Sequence, residues 1–214
     1  AARASVARLA LRQPLVYARI DPDHGDRATP LYDAGATARF VLRNWERYAA
    51  RSAAQADLAA ERASVVERFA GRAGHGEQDA TRAGIADAFS TAAAPLLFSQ
   101  RAAIVDALTA GRRVDELALI AAERLADPEL FDLVFGLADA PVALAAIAAA
   151  TRALDPQSAF GRLAIASRRA DIASAAVLEI GRLARSDIAA RQFLFDALEA
   201  PDIGPSAAAA LASL

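Results

Sequence analysis

The sequence contains no cysteine, no lysine and no methionine. Without thiols there are no disulfides, cysteine nucleophiles, thiolate zinc sites or iron–sulfur clusters. Without lysine there is no Walker-type phosphate lysine, no Schiff base and no kinase-like lysine. All 24 basic side chains are therefore arginine, set against 26 acids for a formal net charge of −2. Both signs are spread along the chain, which disfavours nucleic acid and acidic membrane surfaces as partners. Long apolar runs are missing as well. Alanine fills 61 of the 214 positions, and the longest uncharged apolar run, Ala140 to Ala150, ends at Thr151 and Arg152. A membrane span needs about 18–20 such residues. The lack of cysteine fits the cytoplasm and an oxidising space such as the periplasm equally well.

What is present favours helix. Ala, Leu, Arg and Glu are abundant and β-branched residues few, which predicts helix along nearly the whole chain. Residues 1–20 read as a short first helix broken at Pro14, with Val6, Leu9, Leu11, Leu15, Val16 and Ile20 as its apolar side chains. Asp21-Pro22-Asp23-His24-Gly25-Asp26 through Pro30 is turn-rich. A helix over about 36–70, interrupted near Ser52, is expected next. Val41, Trp45 and Tyr48 fall at i, i+4, i+7, and Leu58, Val65, Val66 and Phe69 form a second stripe. That spacing assigns Trp45 and Tyr48 to the core; the other reading is an aromatic patch, shared with Phe40, offered to a partner. Gly71-Arg72-Ala73-Gly74-His75-Gly76 is a loop. Ile85, Phe89 and Ala92, then Leu97, Ile104 and Leu108, carry helical spacing on to Gly111.

From about residue 115 the chain repeats itself. Arg124-Leu125-Ala126-Asp127-Pro128 returns as Arg152-Ala153-Leu154-Asp155-Pro156, 28 positions later, and more loosely as Arg182-Leu183-Ala184-Arg185-Ser186-Asp187. An Ala-rich amphipathic segment precedes each copy and a bulkier one follows. Asp127 and Asp155 are suited to cap the next helix, and Pro128 and Pro156 to occupy its first turn. A pair of helices of this size cannot bury its apolar face alone, so successive pairs must stack.

These copies resemble HEAT repeats, in particular the short Ala-rich type also called PBS-lyase HEAT-like. The resemblance covers Asp115–Asp139, Pro141–Arg169, Asp171–Ala200 and a partial copy, Asp202–Leu214. It implies an all-α fold, a right-handed α-solenoid of helix pairs over residues 111–214, with a less regular helical region over 1–110. It also implies scaffolding and protein recognition, although some members are bilin-attaching lyase subunits. HEAT-type repeats share no catalytic residues, so none is assigned here. Leu214 falls inside an apolar helix, without the polar cap that a solenoid end requires. The expectation is that the repeats continue, or that this end packs on something, such as a second copy of the chain.

The candidate sites are few. Asp21, Asp23, His24 and Asp26 could supply oxygen and nitrogen ligands to a divalent cation, but the segment lacks the loop length and terminal Glu of an EF-hand, and an exposed turn is the preferred reading. His75, Glu77 and Asp79 form a similar group. No Gly-rich strand–helix loop and no G-x-S-x-G is present. Arg152, Arg162, Arg168, Arg169, Arg182, Arg185 and Arg191 could line a phosphate-binding stripe, but residues 141–214 match these seven arginines with seven acids. The expected function is a non-catalytic, cofactor-free scaffold that contacts a protein partner through Arg162, Arg168, Arg169 and Arg191. A lyase-like or other enzyme subunit with a pocket in the solenoid, and a nucleic-acid binder using the inner arginines, are the alternatives.

Overall fold

The computed structural model describes residues 2–11, 16–21, 27–71 and 79–214; within 16–32 only the backbone is considered. The regular structure among the described residues is helical apart from one two-stranded ribbon. Helix α1 (Ala2–Leu11) leads into an antiparallel hairpin, β1 (Val16–Asp21) paired with β2 (Arg27–Asp33). The register slips between Tyr17 and Ala18, leaving Leu31 as the extra residue of a bulge. This ribbon replaces the second half of the expected first helix. The described part of α1 ends at Leu11, and the expected break at Pro14 lies outside the described residues. Beyond Pro14, Val16, Tyr17 and Ile20 are strand formers, and Pro30 is tolerated because both strands of a ribbon are edges.

Asp33 closes the ribbon and opens α2 (Ala34–Ala59), its carboxylate accepting from the Ala36 amide at 2.9 Å. The helix runs through Ser52, where a break was expected, and stops when Glu61 adopts φ 52°. Left-handed backbone ends a right-handed helix whatever the residue type, although a β-carbon there costs about 1 kcal/mol. α3 (Ser64–Ala70), α4 (Ala80–Thr91) and α5 (Ala94–Thr109) follow. The repeat region then supplies α6 (Asp115–Leu125), α7 (Pro128–Leu137), α8 (Ala140–Ala153), α9 (Pro156–Ala166), α10 (Ala173–Leu183), α11 (Ile188–Ala197) and α12 (Gly204–Ala212). No described helix is long and apolar enough to cross a membrane.

The junctions behave as their chemistry dictates. Asp79, Asp127, Asp155 and Asp187 all have extended backbones and accept hydrogen bonds from the second and third amides of the helices they precede. Such a cap contributes about 1 kcal/mol. Pro128 and Pro156 sit in the first turns, where a missing N–H costs nothing.

Packing follows a two-row pattern. α2, α4, α6, α8, α10 and α12 lie each against the next, and α3, α5, α7 and α9 do the same. From α5 onward each helix also packs on the one that follows it in the chain. A single apolar core runs through both rows from Ala54 to Ala210, crossing residue 110 without interruption through Leu108, Val114 and Leu117. Small residues set the spacing: Ala143, Ala146, Ala149 and Ala150 are buried on α8, and a β-carbon on Gly181 would stand 2.7 Å from that of Ala210.

Candidate partner-binding cleft

The arginines expected to meet a partner are mostly spent inside the chain. Arg162 on α9 pairs with Asp132 on α7 at 2.9 Å. Arg169 donates to the Phe135 and Ala138 carbonyls at 2.9 and 2.8 Å, closing the C-terminal end of α7, and grips Asp171 through two more bonds. Arg191 donates to the Ala184 carbonyl at the end of α10. Arg168 is exposed. The structure therefore does not bring these four onto one free basic face. Other arginines work the same way: Arg124 reaches the Ala92 carbonyl at the end of α4, Arg152 pairs with Glu123, and Arg101 ties α5 to Asp127 and Glu129 on α7. Cations placed at helix C-termini, or bidentate on carboxylates, link one helix to another.

Of the expected metal ligands, Asp21 ends β1 and only its backbone is described. Asp23, His24 and Asp26, like His75 and Glu77, lie outside the described residues. Asp79 caps α4. Among the described residues no group of three His, Asp or Glu could hold a metal ion.

The arrangement that can recognise something lies where α2 crosses α4. Gly84 makes this crossing close, because its missing β-carbon would stand 2.2 Å from the Arg47 carbonyl oxygen. Beside the crossing is an open cleft of about 310 Å³ lined by Asn44, Arg47, Tyr48, Arg51, Asp87, Ser90 and Thr91. Helical spacing puts Asn44, Arg47, Tyr48 and Arg51 on one side of α2. Tyr48 is 67% exposed and Phe40, a turn away from Asn44, 57%. The core reading of Tyr48 is thus overturned: α4 meets α2 at the Arg47 carbonyl, Ala50 and the Arg51 amide, and the Tyr48 ring lies outside that contact. Trp45 is half-buried.

Within the cleft Arg47 binds Asp87 bidentately, at 2.6 and 2.7 Å. Those hydrogen bonds hold the Asp87 carboxyl below its ordinary pKa; burial opposes them, and the charges of Arg47 and Arg51 assist. The Ser90 and Thr91 hydroxyls donate back to the Asp87 carbonyl, both at 2.9 Å. Among the described residues the Arg51 guanidinium makes no hydrogen bond. Among the described residues the cleft thus offers one uncommitted guanidinium, a primary amide and a phenol, a set suited to holding an anion beside a flat or apolar group. The i, i+4, i+8 spacing of Arg43, Arg47 and Arg51 could have drawn attention to it in the sequence. Asp87, which decides which arginine stays available, could not be found without the fold.

Deeper along the same row, Glu116 in the first turn of α6 is half-buried. Burial raises its pKa, the nearby Arg82 charge opposes this, and Asp87 adds to it. A carboxyl whose pKa is raised by folding binds its proton more tightly in the native state, so its ionisation costs stability at neutral pH. Glu116→Gln is expected to raise the melting temperature at pH 7. The advantage should vanish below about pH 4.3, the ordinary glutamate value, where both states of the wild type are protonated. A difference independent of pH would refute this reading, and paired thermal melts from pH 3 to 8 distinguish the two.

Compared with protein-family models, curated proteins and solved structures, the chain finds no match in any of the three.

Proposed function

We propose that the chain is a non-catalytic, protein-binding scaffold: a right-handed α-solenoid of HEAT-like helix pairs over residues 111–214, continued by a less regular helical region over 1–110. The observation that supports it best is the packing order, in which α4, α6, α8, α10 and α12 lie each against the next, α3, α5, α7 and α9 do the same, and one apolar core runs through both rows. An array of this kind gains surface with each added pair, and partner binding is its usual use. Large side chains stand exposed along it, including Tyr48 on α2, Phe98 on α5, Leu137 on α7 and Ile165 on α9. Exposed aromatic and aliphatic anchors are what a protein partner buries. A second occupant is favoured on α11 and just after it: Ile188 and Phe195 on α11 are 81% and 51% exposed, and Leu198 at its C-terminal cap is exposed too. These support self-association there.

A photo-crosslinking amino acid placed at Tyr48, Phe98 or Ile165 in the native host tests the reading. Discrete adducts with another protein are expected from at least one position. Self-adducts alone would leave only the self-association surface, and an absence of adducts at all three would overturn the scaffold reading.

A further inference from the structure

We propose that the α2–α4 cleft binds a carboxylate side chain of an acidic protein segment, held by Arg51 with Tyr48 packed on the neighbouring apolar group. This presupposes that the chain is a protein-binding scaffold, and it names the chemistry of the partner. Four observations support it.

The cleft is large enough for a side chain and its flanks, about 310 Å³. Its lining carries two arginines against one carboxylate, a local surplus of positive charge in a protein whose net charge is −2. The two arginines are not equivalent. Arg47 is fixed by two short bonds to Asp87, while Arg51, close enough to stabilise the Asp87 charge, keeps all its donors available among the described residues. A bound carboxylate would therefore meet a guanidinium carried on a helix that a close backbone crossing holds in place, beside a carboxylate that Arg47 already neutralises. Finally, Tyr48 and Phe40 expose more than half of their surface on the same stretch of helix, and Tyr and Arg together make the common anchor pair of protein interfaces.

A nucleic-acid backbone fits less well. It would need a run of uncommitted cations at phosphate spacing, whereas Arg47 is committed to Asp87 and Arg39 to the Ala10 carbonyl.

The test pans a random display library of twelve-residue peptides against the full chain and against Arg51→Gln, with the exposed Arg62→Gln as a surface control and a random single-stranded oligonucleotide pool run alongside. The full chain and the control should enrich peptides rich in Asp or Glu with an adjacent aromatic or aliphatic residue. Arg51→Gln should weaken individual peptides by about tenfold or more without changing the melting temperature. Enriched peptides that are not acidic, or that bind Arg51→Gln equally well, would overturn the cleft assignment while leaving the scaffold reading in place. No enriched peptide at all would count against both, and Arg51-dependent retention of oligonucleotides would replace the acidic segment with nucleic acid.

Discussion

Gly84→Ala is expected to destabilise the protein by about 2–3 kcal/mol, although alanine is the better helix former. The added β-carbon would stand 2.2 Å from the Arg47 carbonyl oxygen and 2.9 Å from the Arg51 amide nitrogen. Both are backbone atoms of a long helix and cannot swing aside. Overpacking a close contact typically costs 1–3 kcal/mol, and occasionally more; the roughly 1 kcal/mol that alanine recovers in helix propensity offsets only part of a clash this severe. Gly136 in α7 and Gly161 in α9 provide the contrast, since a β-carbon at either meets nothing within 4 Å. Alanine there should stabilise by about 0.5–1 kcal/mol. Chemical denaturation of the three variants checks the signs. A neutral Gly84→Ala would mean that α2 and α4 do not approach as described. The same variant should also lose cleft binding, because moving α2 away from α4 separates Arg47 from Asp87.

The second large effect is expected at Arg82. This arginine is only 6% exposed, its Nη1 donates to the Phe69 carbonyl at 2.9 Å and the Arg113 carbonyl at 3.0 Å, and its guanidinium lies 3.7 Å above the Phe69 ring. It joins the end of α3 to the turn before α6. Burial lowers its pKa, opposed by the charges of Glu116 and Asp79, so the charge itself is costly to hold. Its Nε has no partner among the described residues. Arg82→Met keeps the apolar stem and removes that cost, but strands two acceptors, each worth about 1–3 kcal/mol when left unpaired. The balance is a loss of about 3 kcal/mol. Arg82→Lys should recover part of it, since an ammonium can reach one carbonyl but cannot stack its plane on Phe69. A loss below about 1 kcal/mol for the methionine variant would show that water replaces both bonds.

Parts of this structure are legible in the sequence because they are local. Asp127-Pro128 and Asp155-Pro156 state a cap and a first turn within two residues, and the coordinates place both there. Helical spacing around Leu117, Leu130, Leu163 and Ile180 finds side chains that are fully buried. The hairpin was missed because its six- and seven-residue strands depend on pairing with each other, and their apolar residues sit equally well on a short helical pattern. The break in α2 was misplaced because it rests on one left-handed residue, Glu61, whose side chain gives no sign of it.

The candidate site was the least legible. Arg169 and Arg191 look like available surface charge in the sequence, yet each closes a neighbouring helix end more than five residues away. Tyr48 has core spacing but is 67% exposed, since a glycine on another helix, Gly84, decides which face of α2 is covered. Acid sensitivity follows from such pairs, whether between helices or within one loop. Asp87 and Asp171 are held below their ordinary pKa, chiefly by hydrogen bonds from Arg47 and Arg169. At Asp127 burial pulls upward but is outweighed by Arg101 and the amides of its cap. Carboxyls lowered in this way contribute stability above about pH 3.9, and it is lost as pH falls through their depressed values.

The central claim is that the repeat region is built from interchangeable two-helix units. Deleting residues 128–155 removes α7 and α8 and joins Asp127 directly to Pro156, preserving the capping aspartate and the proline of the first turn. α6 then faces α10 and leads into α9. Far-UV circular dichroism with a urea titration measures the outcome. A stack predicts a shorter protein with unchanged ellipticity per residue and one cooperative transition at a lower midpoint. A chain that loses its helicity or melts without cooperativity would contradict it, because only a closed bundle, in which every helix has a unique place, fails on losing one unit.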